Sequence, residues 1–157
     1  MENRQTIPSP GEAADDLSSL RVLEFNIFER KANMFVRQIR SNDGTGTLSY
    51  LIVDEEQRVG CIIDPNIEDL RDIEAMISDL NLRLTHIIDT HTHADHVSAA
   101  GELRTLTGAQ TIMHANTRNK WKIIDQGDKF GIGDTLRANA KIPIDRYVEN
   151  GAVVQVG

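Results

Sequence analysis

One cysteine, Cys61, stands in 157 residues, so no internal disulfide can form and a disulfide-stapled secreted domain is excluded. It lies in the apolar run 59–63 and reads as a small core residue rather than a nucleophile. Aromatic residues make up only 4% of the chain, so any core has to rest on Ile, Leu, Val and Met. No apolar stretch approaches the ~20 residues that a membrane-spanning helix needs, and no membrane partner is expected. Positive charge is also short, with 17 Lys and Arg against 24 Asp and Glu and a net charge of −7. An acidic surface repels phosphate backbones, so nucleic acid is not expected as a partner, although bound metal ions reverse the field locally. The first residues lack the apolar core of a signal peptide, and Glu12, Asp15 and Asp16 argue against a mitochondrial transit peptide. The cytoplasm is therefore the expected compartment. Histidine is scarce too, five in all, and three of them fall within six residues.

Those six are His91-Thr92-His93-Ala94-Asp95-His96, directly after the apolar run that ends in Ile87-Ile88-Asp89. Neutral imidazole nitrogen suits zinc, iron or manganese, and carboxylate oxygen complements it. In an extended segment residues i and i+2 point the same way, so His91 and His93 can grip one ion together. Asp95 and His96 come where the chain is expected to enter a helix and project at another angle. One loop then offers two ligand pairs, the arrangement of a two-metal site with ions roughly 3.5–4 Å apart.

The pattern along the chain predicts an α/β domain. Residues 1–20, with Pro8, Pro10, Gly11, serines and acids, read as a mobile leader containing a short helix near 13–20, ahead of a domain over 21–157. Alternation predicts a strand over 34–40, a turn over 42–46, and an antiparallel hairpin of 49–53 with 59–64. A βαβ unit follows. Asn66 is a good helix N-cap, and Ile67, Leu70, Ile73, Ile77 and Leu80 form one apolar stripe closed by Asn81. The next strand, 84–89, is expected parallel to its predecessor, with the histidine loop at its carboxyl end, where open α/β sheets bind ligands. A helix over 95–106 stopped by Gly108, a strand over 110–113, a helix over 117–125, turns at Gly127, Gly131 and Gly133, and an apolar strand over 152–156 complete the expectation.

The string Thr90 to His96 resembles the His-x-His-x-Asp-His signature of the metallo-β-lactamase fold superfamily, and Tyr50 to Val53 with Cys61 to Pro65 resembles that family's opening hairpin. The resemblance implies the N-terminal half of an αββα sandwich. Two branches are similar: glyoxalase II, a hydroxyacylglutathione hydrolase that cleaves a glutathione thioester, and the persulfide dioxygenases, which oxidise glutathione persulfide with a single iron. Phe35 to Ile39, Ser49 to Ile52 and Ala94 to Ala100 are similar to the dioxygenase group. In the hydrolase branch His91 and His93 would hold one zinc and Asp95 and His96 a second, with metal-activated hydroxide as the nucleophile. Asp95 also matches the residue that orients water in one-metal members. In the dioxygenase branch one Fe(II) would be held by His91 and by ligands beyond Gly157, with His93, Asp95 and His96 bracing the site. Asp64 reads equally as a turn acid before Pro65 and as a group that hydrogen-bonds the histidine loop; Thr90 and Asp89 read as further braces. His86 and His114 read as structural.

The family's third histidine follows a Pro-Gly turn, and its bridging aspartate comes later. Here the one histidine past the motif is His114, in Ile112-Met113-His114-Ala115. The expectation is therefore a partial domain whose C-terminal half is absent, inactive in isolation. The alternative is a non-catalytic metal-binding half-domain, real as it stands. Oligomeric state is not legible.

Overall fold

The computed structural model describes residues 33–41, 43–44 and 46–157, with the Trp121 side chain left aside; the expected leader and its short helix lie outside these residues. Among the described residues six strands form one sheet in the order β1 (Met34–Arg40), β2 (Leu48–Asp54), β3 (Val59–Ile63), β4 (Arg83–Ile88), β5 (Gln110–His114) and β6 (Arg146–Val148). The first three are antiparallel, with Leu51 opposite Ile62 and Val53 opposite Gly60. From β3 onward the strands run parallel, so each connection must cross back over the sheet. The helices α1 (Leu70–Asp79), α2 (Ala100–Thr107), α3 (Lys120–Asp128) and α4 (Gly133–Ala140) lie in those crossovers.

Alternation decides which face is buried. Ile39, Leu51, Val53, Ile62, Leu84 and Ile87 form one cluster with Ile73 of α1 and Leu103 of α2. Ile73, Ile62, Ile87 and Leu103 have no solvent exposure, and each is worth about 1.5–3 kcal/mol of burial. Cys61 is 1% exposed, and burial pushes its thiol up to about 11, so it is a core residue. Asn66 caps the entry to α1 as expected: its Oδ1 accepts from Glu68 N at 3.0 Å. The entry is a 3₁₀ turn, Ile67–Asp69, rather than the α-helix itself. Asn81 closes the crossover at φ 50, and Gly108 ends α2 at φ 72.

Three elements differ from the expectation. The second helix starts at Ala100, not at residue 95. Its first turn is lost because the backbone there is bonded elsewhere: Ile67 N donates to Val97 O and Ala99 N to Pro65 O. Helix α4 replaces the expected run of turns. Gly127 sits inside α3, where a Cβ would collide with Leu136 of α4; Gly133 opens α4, where a Cβ would collide with the Asp128 carboxylate. These two glycines allow close approach rather than a turn. The last strand is Arg146–Val148, while 152–156 forms no strand and Val153 is 79% exposed. Asp145 explains the shift. Its carboxylate accepts from Thr111 N, Thr111 Oγ1 and both arms of Arg104, which pins the chain beside β5 just ahead of β6.

Candidate metal centre

The loop 89–99 leaves β4 at the carboxyl edge of the sheet and is braced from two sides. Its first brace is Asp64, the residue just past β3, at φ 49. Its Oδ1 accepts from Thr90 N at 2.7 Å and from His93 Nε2 at 3.0 Å, and its Oδ2 accepts from Thr90 Oγ1 at 2.7 Å. Burial opposes ionisation of Asp64, but the bonds from His93 and Thr90 outweigh it and hold the carboxyl below its ordinary range.

This bonding assigns the ring protons. His93 gives its Nε2–H to Asp64, which leaves Nδ1 with a lone pair. The Thr90 hydroxyl spends its hydrogen on Asp64 and so accepts from His91 Nδ1, 2.8 Å away, which leaves His91 Nε2 with a lone pair. His96 Nδ1 lies 3.1 Å from Asp95 Oδ2, and its Nε2 is buried with no hydrogen-bond partner among the described residues. A buried, orphaned imidazole nitrogen costs free energy unless something binds it.

The rings sit in a row, tilted against one another, His91 to His93 and His93 to His96 each 4.3 Å between centroids. His93 and His96 are 3% and 6% exposed. Burial works against protonation of His93, yet the Asp64 bond and the nearby Asp89 and Asp95 charges raise its affinity for a proton. Asp89 is buried against the Ser98 hydroxyl at 2.9 Å, and burial pushes it up to about 6, partly offset by His93 and Ser98. The Asp95 side chain is 56% exposed; its slight burial is outweighed by the His96 bond, and the carboxyl sits below its ordinary range.

Two trios converge: Asp64, His91 and His93, and His93, Asp95 and His96, with the ligand atoms of each within 4.8 Å of one another. Imidazole lone pairs, carboxylate oxygens and one orphaned nitrogen form a donor set that fits a divalent ion such as zinc or iron. His86 and His114 stand apart. His86 bonds Thr85 Oγ1, and His114 Nδ1 accepts from Asn116 N at the cap of a 3₁₀ turn.

The second brace is Asn139 on α4. Its Nδ2 donates to His93 O at 2.9 Å and His96 O at 3.0 Å, and its Oδ1 accepts from Ser98 N at 2.8 Å. No local signal in the sequence marks it, since these partners lie more than 40 positions away and α4 itself reads as turns. Between the loop and α3–α4 runs a narrow cleft lined by His91, His93, Lys120, Ile123, Leu136 and Asn139.

Residues 42–153, which include the β2–β3 hairpin and the whole loop 89–99, match the family model described as the metallo-beta-lactamase superfamily. The chain belongs to that superfamily. Among metallo-beta-lactamase superfamily relatives, the chain is similar to the mitochondrial persulfide dioxygenase ETHE1 of Bos taurus, 36% identical over 90 residues that make up 55% of this chain and 35% of that protein. It is also similar to a hydroxyacylglutathione hydrolase of Pelagibacter ubique, 35% identical over 77 residues, 49% of this chain and 31% of that one. The crystal structure of ETHE1 from Myxococcus xanthus superposes with a TM-score of 0.50 at 41% identity, over 53% of this chain and 36% of that one. The BLEG-1 B3 metallo-beta-lactamase, at 18% identity and a TM-score of 0.57, shares the fold over 78% of this chain. The matched part of the chain thus spans about a third of the length of the curated relatives.

Proposed function

We propose that the 91–96 loop is the metal-binding part of an enzyme site for a small sulfur-containing substrate, and that its reaction is hydrolysis of a thioester of the hydroxyacylglutathione type. The observation that carries the reading is His96 Nε2, buried beside Asp95 and without a hydrogen-bond partner among the described residues. It offers a second ligand group next to the first, the donor set of a two-zinc hydrolase. His91 through Nε2 and His93 through Nδ1 would hold one ion, and Asp95 with His96 Nε2 the other. A divalent ion bound there supplies Lewis acidity, bringing the pKa of water from 15.7 to about 7 and polarising a carbonyl.

The chain's own groups do the rest. Asp64 keeps both lone pairs of the His-x-His pair on offer, directly for His93 and through Thr90 for His91. Asp95, held ionised and more than half exposed, accepts a hydrogen bond from water and orients it. Residues 21–157 would form part of a larger metallo-beta-lactamase domain, with further ligands supplied from outside the loop. This accords with the relatives' greater length.

The likeness to persulfide dioxygenases, up to 41% identity with the Myxococcus xanthus protein, favours a second reading: one Fe(II) and oxidation of a persulfide. His91 is then a ligand, and His93, Asp95 and His96 support it. Metal analysis of the full-length protein separates the two. Two zinc ions with thioester turnover support hydrolysis, and one iron with persulfide-dependent oxygen uptake supports the dioxygenase. Metal bound with neither activity supports the half-domain that only binds. Undiminished metal in the His91→Ala/His93→Ala double variant overturns all three.

A further inference from the structure

We infer that Asn139 is the positioning residue of the metal loop: helix α4 holds the ligands in place through this one amide. Both ends of the amide are engaged. Both Nδ2 hydrogens go to the carbonyls of His93 and His96, and Oδ1 takes the Ser98 N–H. The two carbonyls bracket Ala94 and Asp95, so one side chain spans the bend that presents Asp95 and His96. The segment is not helical, and the far end of the loop is tied instead to 65–67 through Val97 O and Ala99 N. Asn139 therefore supplies the partners for the turn between the His-x-His pair and Ser98.

The arm that carries it is stiff. Leu136, 3% exposed, fills the notch at Gly127. Arg137 bonds Asp128 at the end of α3 and Asp134 on its own helix. Lys120 Nζ, from α3, donates to Ala140 O at 2.9 Å and to Ile142 O at 3.2 Å, just past Asn139. An amide is also the one side chain of this size that donates twice and accepts once without charge. Aspartate has the same shape but would turn a carboxylate oxygen toward two carbonyls.

The inference rests on the reading that the loop holds a metal, and the test separates the two. In the full-length protein, zinc affinity is measured by competition with a chromophoric chelator, ligand geometry by the visible absorption of the cobalt(II)-loaded form, and Ser98 protection by amide exchange. Asn139→Asp and Asn139→Ala are both expected to bind zinc about ten- to a hundredfold more weakly, with an altered cobalt band. Asn139→Asp is expected to be at least as impaired as Asn139→Ala, whereas a side chain that merely fills space would leave the aspartate variant like wild type. A zinc affinity and cobalt band in Asn139→Asp equal to wild type overturns the inference. So does an unprotected Ser98 amide in the wild type, which needs no variant to fold. Wild-type protein that binds no zinc or cobalt sinks the metal reading alone; Ser98 exchange, slow in wild type and faster in Asn139→Ala, still supports the clamp.

Discussion

Replacing Asp64 with asparagine changes one oxygen to an NH₂ group, and the consequence propagates to two histidines. The Asp64 carboxylate, only 15% exposed, accepts three hydrogen bonds, at 2.7 Å from Thr90 N, 2.7 Å from Thr90 Oγ1 and 3.0 Å from His93 Nε2. Hydrogen bonds to a charged group are worth about 1.5–3 kcal/mol and neutral ones about 0.5–1.5. Asparagine tolerates the positive φ at position 64 as well as aspartate does, so backbone strain does not confuse the comparison. With Oδ1 kept on Thr90 N and His93 Nε2, the new Nδ2 donates to Thr90 Oγ1. The Thr90 hydrogen must then point elsewhere, and the nearest acceptor is His91 Nδ1 at 2.8 Å. His91 flips to its Nε2–H tautomer and loses the lone pair it offers a metal. Asp64→Asn is therefore expected to lose about 2 kcal/mol of folding stability, a fall in Tm of about 6 °C. Its zinc affinity should drop by about ten- to a hundredfold. Long-range nitrogen–proton correlation spectra of the histidine rings, recorded on metal-free protein, read the tautomers directly, and chelator competition reads the affinity. A His91 ring still protonated at Nδ1 in the variant, or unchanged zinc binding, would refute the chain of reasoning from Asp64 through Thr90.

Two further outcomes are expected. Ile73→Ala removes a side chain with no exposure from the centre of the α1 stripe and should cost about 2–5 kcal/mol in urea unfolding, with no change in metal stoichiometry once the protein is folded; a loss under 1 kcal/mol would mean that α1 is not packed as described. Asp145 is held well below its ordinary carboxylate range, foremost by Arg104 and then by Thr111 N. Its contribution to stability is therefore complete above the unfolded value of about 3.9 and is lost as pH falls through the lower folded value. Asp145→Asn should be less stable than wild type at neutral pH, with the gap closing below about pH 4; a gap that stays constant in acid would show that the carboxylate charge contributes nothing.

Much of the fold was legible because its signals are local. The alternation in 34–40 and 49–53, the Asn66 cap and the stripe from Ile67 to Leu80 each depend on neighbours within one turn or one strand. The errors lie where distant bonds overrule local preference. The apolar period from Val97 to Leu106 fits a helix from residue 95, yet its first turn is committed to Pro65 and Ile67. The glycines at 127 and 133 carry the signature of turns, yet they admit Leu136 and the Asp128 side chain between two helices. The apolar run 152–156 looks like a strand, while the ladder next to β5 is taken by three residues placed there by Asp145.

What the sequence determined by itself is the donor chemistry: three imidazoles and a carboxylate within six residues after a strand, and with them the family. The kind of donor atom on offer is a property of side-chain type and spacing, which the chain carries in one dimension. What only the tertiary structure decided is how those donors are prepared. Which nitrogen of each ring keeps its lone pair depends on Asp64, 29 positions from His93, and the bend of the loop depends on Asn139, 43 positions past His96. Tautomer and loop shape are set by hydrogen bonds across space, and no local pattern encodes a partner that only folding brings within 3 Å.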